Sequence, residues 1–242
     1  AGDLPPLPTT SFDWRSHNGS DWLTAIKDQG ICGSCWAFSA VGVAEAVHNI
    51  GSEDPNLDLD LSEQYLVSDC HSLFGYQTCC GGWKSDALVY IRDSGVPDES
   101  CMPYVDGSSC SCGGGSCDTN CTYRTGGDCS DRVCSHRCGD WSNRLTYISA
   151  TGSVGSNQTT IKQKLIEHGP LGVSVGIGSS YGGYWDGDVY RCSNDSGSNH
   201  AVAIVGYNDS GSYWLVRNSW GTGWNGDGYY KVGYGECAIE NW

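Results

Sequence analysis

Cys35 is the side chain of this sequence best placed for nucleophilic chemistry. The Gly/Ser loop Gln29-Gly30-Ile31-Cys32-Gly33-Ser34 leads into it, and Trp36-Ala37-Phe38 follows. Ala37, Phe38, Ala40, Val41, Ala44, Val47 and His48 recur at three- and four-residue spacing, which predicts a helix to about Asn49, with Gly51 as a stop. A cysteine in the first turn of a helix meets unpaired N–H groups and the positive end of the dipole. Both favour the thiolate, the form that attacks carbonyl carbon. The Cys32-x-x-Cys35 spacing also fits a redox pair or half of a zinc site. A redox pair belongs beside a βαβ pattern, which this stretch lacks. Zinc wants a second such pair or paired histidines, and Cys110 and Cys112 stand too close together to serve. No metal is expected.

A thiolate nucleophile needs a base, and a group to orient that base. The chain has 6 histidines. His17 lies in an N-terminal loop, His48 on the predicted helix, His71 beside Cys70, and His136 in a cysteine-rich segment. His168 ends a predicted helix before Gly169-Pro170, where a cation suits the dipole. His200 differs, because it opens the apolar run Ala201-Val202-Ala203-Ile204-Val205-Gly206-Tyr207. A residue at the mouth of a buried strand is held rigidly and can face a cleft. Asn218, in Val216-Arg217-Asn218-Ser219-Trp220-Gly221, can accept the imidazole N–H through its amide oxygen and so set the tautomer. Trp220 would keep water from that bond. Taken alone, these two residues also read as a turn asparagine beside a core tryptophan.

Three motifs together carry a resemblance: Cys32-Gly33-Ser34-Cys35-Trp36, Asn199-His200-Ala201-Val202 and Asn218-Ser219-Trp220-Gly221. From about Phe12 to Trp242 the chain resembles the mature domain of a papain-family cysteine protease, with one long insertion. The resemblance implies an α+β, two-lobed, papain-like fold with the active site in the cleft between the lobes. A helical lobe with a long central helix would cover about 13–110. An insertion would follow at about 110–138. A strand-rich lobe resembling an antiparallel barrel would cover about 139–242, joined by segment 1–12.

The resemblance also assigns residues. Gln29 and the Cys35 N–H would hold the oxyanion, and Cys35, His200 and Asn218 would complete the catalytic set. Gly81 and Gly82 would present backbone to an extended peptide, although the pair also reads as a tight turn. Trp83, Lys84, Ser174, Ala201 and Trp242 would line the main specificity pocket, with Asn199 and Trp220 beside the histidine and asparagine. Lys84 stands where the family usually has an apolar residue. It would either accept acidic or polar side chains or point to solvent. Family disulfides carry over as Cys32–Cys79, Cys70–Cys110 and Cys192–Cys237, which leaves Cys80–Cys101 as a further pair. The implied partners are polypeptide substrates, an inhibitory propeptide and cystatin-like inhibitors, acting on a monomer without a cofactor.

Helices are predicted at Ser62–Asp69, with Ser62 as cap, at Ser85–Asp93 and at Thr159–His168. Strands are predicted at Tyr147–Ala150, Gly172–Ile177, Ala201–Tyr207, Ser212–Arg217 and Gly228–Gly233. Helices first and strands after fit an α+β class. Between the halves, Cys112-x4-Cys117-x3-Cys121 repeats as Cys129-x4-Cys134-x3-Cys138 among Gly, Ser, Asp and Thr. So little apolar matter cannot hold a shape uncrosslinked, which predicts a knot of these six cysteines closed on itself.

The 15 cysteines indicate an oxidising compartment, outside the cell or lysosomal. Their odd number leaves a thiol over, which Cys35 would supply. A net charge of −15, from 28 acidic and 13 basic residues, argues against nucleic acid as partner. No apolar run reaches the roughly 20 residues of a membrane span. Segment Ala1–Thr10 lacks the charged start and apolar core of a signal peptide, so a leader is expected to have been removed already. Asn18, Asn120, Asn157, Asn194 and Asn208 begin glycosylation sequons.

The leading expectation is a secreted or lysosomal cysteine endopeptidase. Two alternatives compete. In a cathepsin B-like dipeptidyl carboxypeptidase the insertion would act as an occluding loop, but it carries only His136 rather than adjacent histidines. In a cysteine-rich binding protein catalysis would have been lost, against which all four catalytic positions hold the expected residues.

Overall fold

A computed structural model describes residues 9–70, 79, 81–105, 134–194 and 197–241. Helices α1 (Cys35–Gly51), α2 (Glu63–Val67) and α3 (Lys84–Ser94) form one part. The other holds helix α4 (Gln158–His168) and seven strands: β1 (Ser11–Asp13), β2 (Leu171–Val175), β3 (Gly183–Asp186), β4 (Val189–Cys192), β5 (His200–Asn208), β6 (Tyr213–Arg217) and β7 (Tyr229–Gly233).

Helix α1 is buried nearly all round, as expected of a helix with no polar face. One side packs with Leu61, Tyr65 and Leu66 around α2 and with Ile91 of α3. Its other side, through Val43 and Ala46, meets the sheet core of Val173, Val202, Ile204 and Trp214. Small residues at Ala37, Ala40 and Ala44 let the helical core approach the helix axis. At 17 residues the helix is long enough to span the two cores.

Strand β5 organises the sheet. One edge pairs with β2 over His200–Ile204 and then with β1 over Gly206–Asn208, while β6 takes the other edge. The order continues through β7 and β4 to β3, with β4 and β7 the parallel pair. The expected barrel-like lobe is therefore corrected to an open sheet: β1 and β2 end it on one side and β3 on the other. Gly206 is required where β1 crosses β5, because a Cβ there would lie 2.4 Å from the Phe12 carbonyl.

Several boundaries differ from the sequence reading. The strand expected at Tyr147–Ala150 does not form. Its neighbour Thr146 makes a single bridge to Val96, and Tyr147 is left 49% exposed. Strands β1, β3 and β4 are only 3 or 4 residues long, too short to show alternation. Helix α2 is capped as predicted, with the Ser62 hydroxyl accepting from the Tyr65 N–H.

The disulfides divide in the same way. Cys32–Cys79 and Cys192–Cys237 form as expected. Cys70 pairs with Cys134 instead of Cys110, and Cys101 with Cys138 instead of Cys80. The backbone accounts for both exchanges. The Cys134 N–H bonds the Asp69 carboxylate beside Cys70, and the Cys138 N–H donates to the Cys101 carbonyl at 2.8 Å. The self-contained six-cysteine knot is corrected too, since Cys134 and Cys138 fasten the end of the insertion to the helical part. Cys80, Cys110 and the remaining cysteines of the knot lie outside the described residues.

A buried ionic network ties the parts together. Glu45, fully buried on α1, accepts from Lys27 at 3.0 Å and from the Leu61 N–H at 2.8 Å. Thr24 bonds its second oxygen, and Arg217 at the end of β6 lies 3.9 Å from that oxygen. Lys27 also reaches Glu63 and Asp60, so the loop before Gln29 is held from three directions.

Candidate active site

Two periodicities bring the predicted catalytic residues toward one another. Cys35 and Ser39 lie four residues apart on α1 and so share a face. His200 and Val202 lie two apart on β5 and so share a side. The Ser39 hydroxyl donates to the Val202 carbonyl at 2.8 Å, which holds α1 against the β5 backbone two residues from His200. At Cys35 itself, the backbone of Ala201, the neighbour of His200, favours the thiolate.

His200 is 7% exposed, and its Nε2 lies 2.8 Å from Asn218 Oδ1. An amide oxygen only accepts, so Nε2 carries the proton and Nδ1 is left unprotonated. Trp220 stacks on the ring at 4.7 Å between centroids, covering the bond as the motif implied.

The Gln29 side chain is held at both ends. Its Oε1 accepts from the Ser219 hydroxyl at 2.6 Å, and its Nε2 donates to the Cys32 carbonyl at 2.8 Å. A primary amide has two donor hydrogens, so one remains for a ligand. The Gln29 main chain is held as well: its N–H donates to the Ser219 carbonyl, and its carbonyl accepts from the Tyr104 hydroxyl at 2.8 Å. Ser34, in the cap position of α1, gives its hydroxyl to Tyr104 and makes no side-chain cap. The N–H groups of Ala37 and Phe38 donate to the Ser34 carbonyl, which leaves those of Cys35 and Trp36 beside the sulfur. Ser219 and Tyr104 were not singled out from the sequence. Ser219 lies inside a recognised motif, whereas nothing in the local sequence marks Tyr104.

Burial pushes the Cys35 thiol up and the His200 imidazole down, so it opposes charge on either. For Cys35 the N–H groups of Ala201, Trp36 and Cys35 and the Lys84 ammonium pull the other way. For His200 the Asn218 bond does. Among the described residues Cys35 is the free cysteine.

The predicted pocket residues are placed unequally. Lys84 donates to Ser174 at 2.7 Å, so it turns inward and the solvent-directed alternative is set aside. Ser174 pairs with Ala201 across β2 and β5. Trp83 is 69% exposed. Asn199 gives both side-chain groups to the backbone of Ile177, at 2.8 and 3.1 Å. Gly82 has a structural reason to be glycine, since a Cβ would fall 2.5 Å from the Trp36 ring. Gly81 adopts φ +130° and has open space beside it. Trp242 lies outside the described residues.

Known proteins resemble this chain over most of its length. The profile of the papain family cysteine proteases matches residues 8–242. Digestive cysteine proteinase 2 of Homarus americanus is 34% identical over 230 residues, covering 92% of this chain and 61% of the relative. Among solved structures, digestive procathepsin L 3 of the Tenebrio molitor larval midgut superposes with a TM-score of 0.72 at 28% identity, covering 98% of this chain and 69% of that one. The Carica candamarcensis cysteine protease CMS1MS2, solved in complex with E-64, gives 0.70 at 28% identity, covering 96% and 95%. The chain spans 61 to 63% of the length of the first curated relatives it matches.

Proposed function

The chain belongs to the papain family of cysteine proteases, and we propose that it cleaves peptide bonds as an endopeptidase through Cys35 and His200. The observation that carries this reading is the His200 Nε2 to Asn218 Oδ1 bond, because it leaves Nδ1 as the basic nitrogen, on a residue next to Ala201, whose backbone favours the Cys35 thiolate.

Cys35 Sγ attacks the carbonyl carbon while its proton passes to His200 Nδ1. The oxyanion is held by the Cys35 N–H and the remaining amide hydrogen of Gln29. His200 then protonates the leaving amine, and the C–N bond breaks to give a thioester. Water, losing its proton to Nδ1, attacks the thioester carbonyl and releases the acid. Asn218 keeps the imidazole in the required tautomer throughout.

Cleavage of peptide bonds is supported by relatives named digestive cysteine proteinase and cathepsin L. A propeptide and active-site inhibitors are the partners supported by the procathepsin and E-64 structures among the neighbours. Secretion or lysosomal delivery is supported by the disulfides and by the digestive relatives.

The test is alkylation of the unreduced protein with iodoacetamide near pH 6, followed by peptide mapping and assay on a peptide blocked at its C-terminus. Ordinary thiols are mostly protonated at that pH and react slowly. Rapid modification at Cys35, with turnover of the blocked peptide lost in step, is expected. Turnover that survives full modification of Cys35 would sink the mechanism. A requirement for a free C-terminal carboxylate would replace the endopeptidase with the carboxypeptidase.

A further inference from the structure

Lys84 is the first residue of α3. The positive end of the helix dipole lies there. Partial burial pushes its ammonium below the usual lysine range. Among the described residues it pairs with no carboxylate, and the charge it feels is that of Cys35. Its hydrogen bond goes to a neutral group, the Ser174 hydroxyl, at 2.7 Å.

Gly172 and Ser174 stand two apart on β2 and so present the same side. The Lys84 stem runs along that side: a Cβ on Gly172 would lie 3.6 Å from Lys84 Cδ, with Ser39 and Leu88 as its other neighbours. With no side chain at Gly172, the wall beside the amine is backbone. Ser174 is paired with Ala201, whose backbone favours the Cys35 thiolate, so this site adjoins Cys35. An ammonium has three donors, and Ser174 uses one.

We propose that Lys84 is a specificity-determining residue: it receives the carboxylate of an aspartate or glutamate side chain at one position of the bound peptide, with Ser174 steadying the amine. The substrate class is then acidic peptides. Local chemistry makes this possible despite a net charge of −15, because close charge-assisted hydrogen bonds outweigh screened, distant repulsion. The inference rests on the protease reading above.

The test uses the mature enzyme and doubly blocked fluorogenic peptides. Glu, Leu or Lys is placed in turn at each of three positions on either side of the cleaved bond. The wild-type enzyme should prefer Glu over Leu at one position by about tenfold in kcat/KM, the scale of one charge-assisted bond. Lys84→Met should abolish that Glu-to-Leu ratio at that position alone, and Lys84→Glu should reverse it in favour of Lys. If the ratio is unchanged in Lys84→Met while every peptide slows together, the lysine acts on the Cys35 thiolate and the specificity role is overturned. A wild-type enzyme that cleaves the Leu peptides in a Cys35-dependent way, without any preference for Glu, overturns this inference and leaves the protease reading standing. If no blocked peptide is cleaved, the endopeptidase reading itself fails.

Discussion

Lys27 and Lys84 are both drawn out of water, and their surroundings treat them in opposite ways. Lys27 meets Glu45, Asp60 and Glu63 within 3.1 Å and also the Leu61 carbonyl. Burial opposes its charge, but the carboxylates win and its ammonium is held well above the usual range. Lys84 has one hydroxyl and the neighbouring thiol, and its ammonium is pushed down. The first cation is satisfied by the fold and serves the fold. The second is left unsatisfied beside the nucleophile, where a substrate can complete it. Burial of a charge therefore does not by itself mark a functional residue; the absence of a countercharge does.

The comparison is broken most sharply by removing each lysine. Lys27→Met leaves buried Glu45 and Glu63 without their cation, and loss of one member of a buried ion pair costs about 3–5 kcal/mol. Lys84→Met removes a cation that nothing nearby balances, so stability should change by less than about 1 kcal/mol. Urea unfolding of both variants at one pH measures the difference. Equal losses would mean that Lys84 has a structural partner after all.

A smaller effect sharpens the description of the Lys27 side. Several acids share that one ammonium. Burial raises Glu99 to about 7 from an ordinary 4.5, against the pull of the Tyr104 N–H and Lys27. Glu63 is raised as well, first by burial and then by Glu45. A carboxyl with a raised folded pKa keeps its proton in the folded state after the unfolded chain has released it. Stability is then full below about 4.5 and falls as pH rises toward about 7, on the order of 1–2 kcal/mol for the partly exposed Glu99. Urea midpoints should decline across that window, and Glu99→Gln should flatten the decline. An unchanged slope in Glu99→Gln would show that this carboxyl titrates normally.

The two lysines also show what a sequence can and cannot reveal. Helix α1, the buried strand β5 and the motifs around Cys35, His200 and Asn218 were legible because each couples a local pattern to its place in the fold. The partners of Cys70 and Cys101 were not. Cysteine spacing does not encode which backbone runs close in space, and the regular repeat around Cys112–Cys138 suggested a closure that Cys134 and Cys138 do not make. Openness of the sheet was equally hidden, since it depends on β1 and β2 sharing one edge of β5. Ser219 and Tyr104 hold Gln29 across 190 and 75 residues of chain, separations that no local signal spans. Lys84 stood between these cases. Its type raised the question, and only the 2.7 Å contact with Ser174 shows which way it turns.

That contact supports the smallest and most discriminating prediction. If Ser174 steadies the amine, Ser174→Ala frees Nζ to swing on its four-carbon stem. The Glu-to-Leu selectivity ratio should then fall by about threefold, the scale of one neutral hydrogen bond. The ammonium keeps two donors while bound to Ser174, so the hydroxyl need not leave when a carboxylate arrives. A ratio that rises in Ser174→Ala would mean that the hydroxyl competes with the substrate for the amine, and the steadying role would be lost. In the double variant with Lys84→Met the serine change should have no further effect on the ratio, because a hydroxyl that acts only through the amine has nothing left to hold.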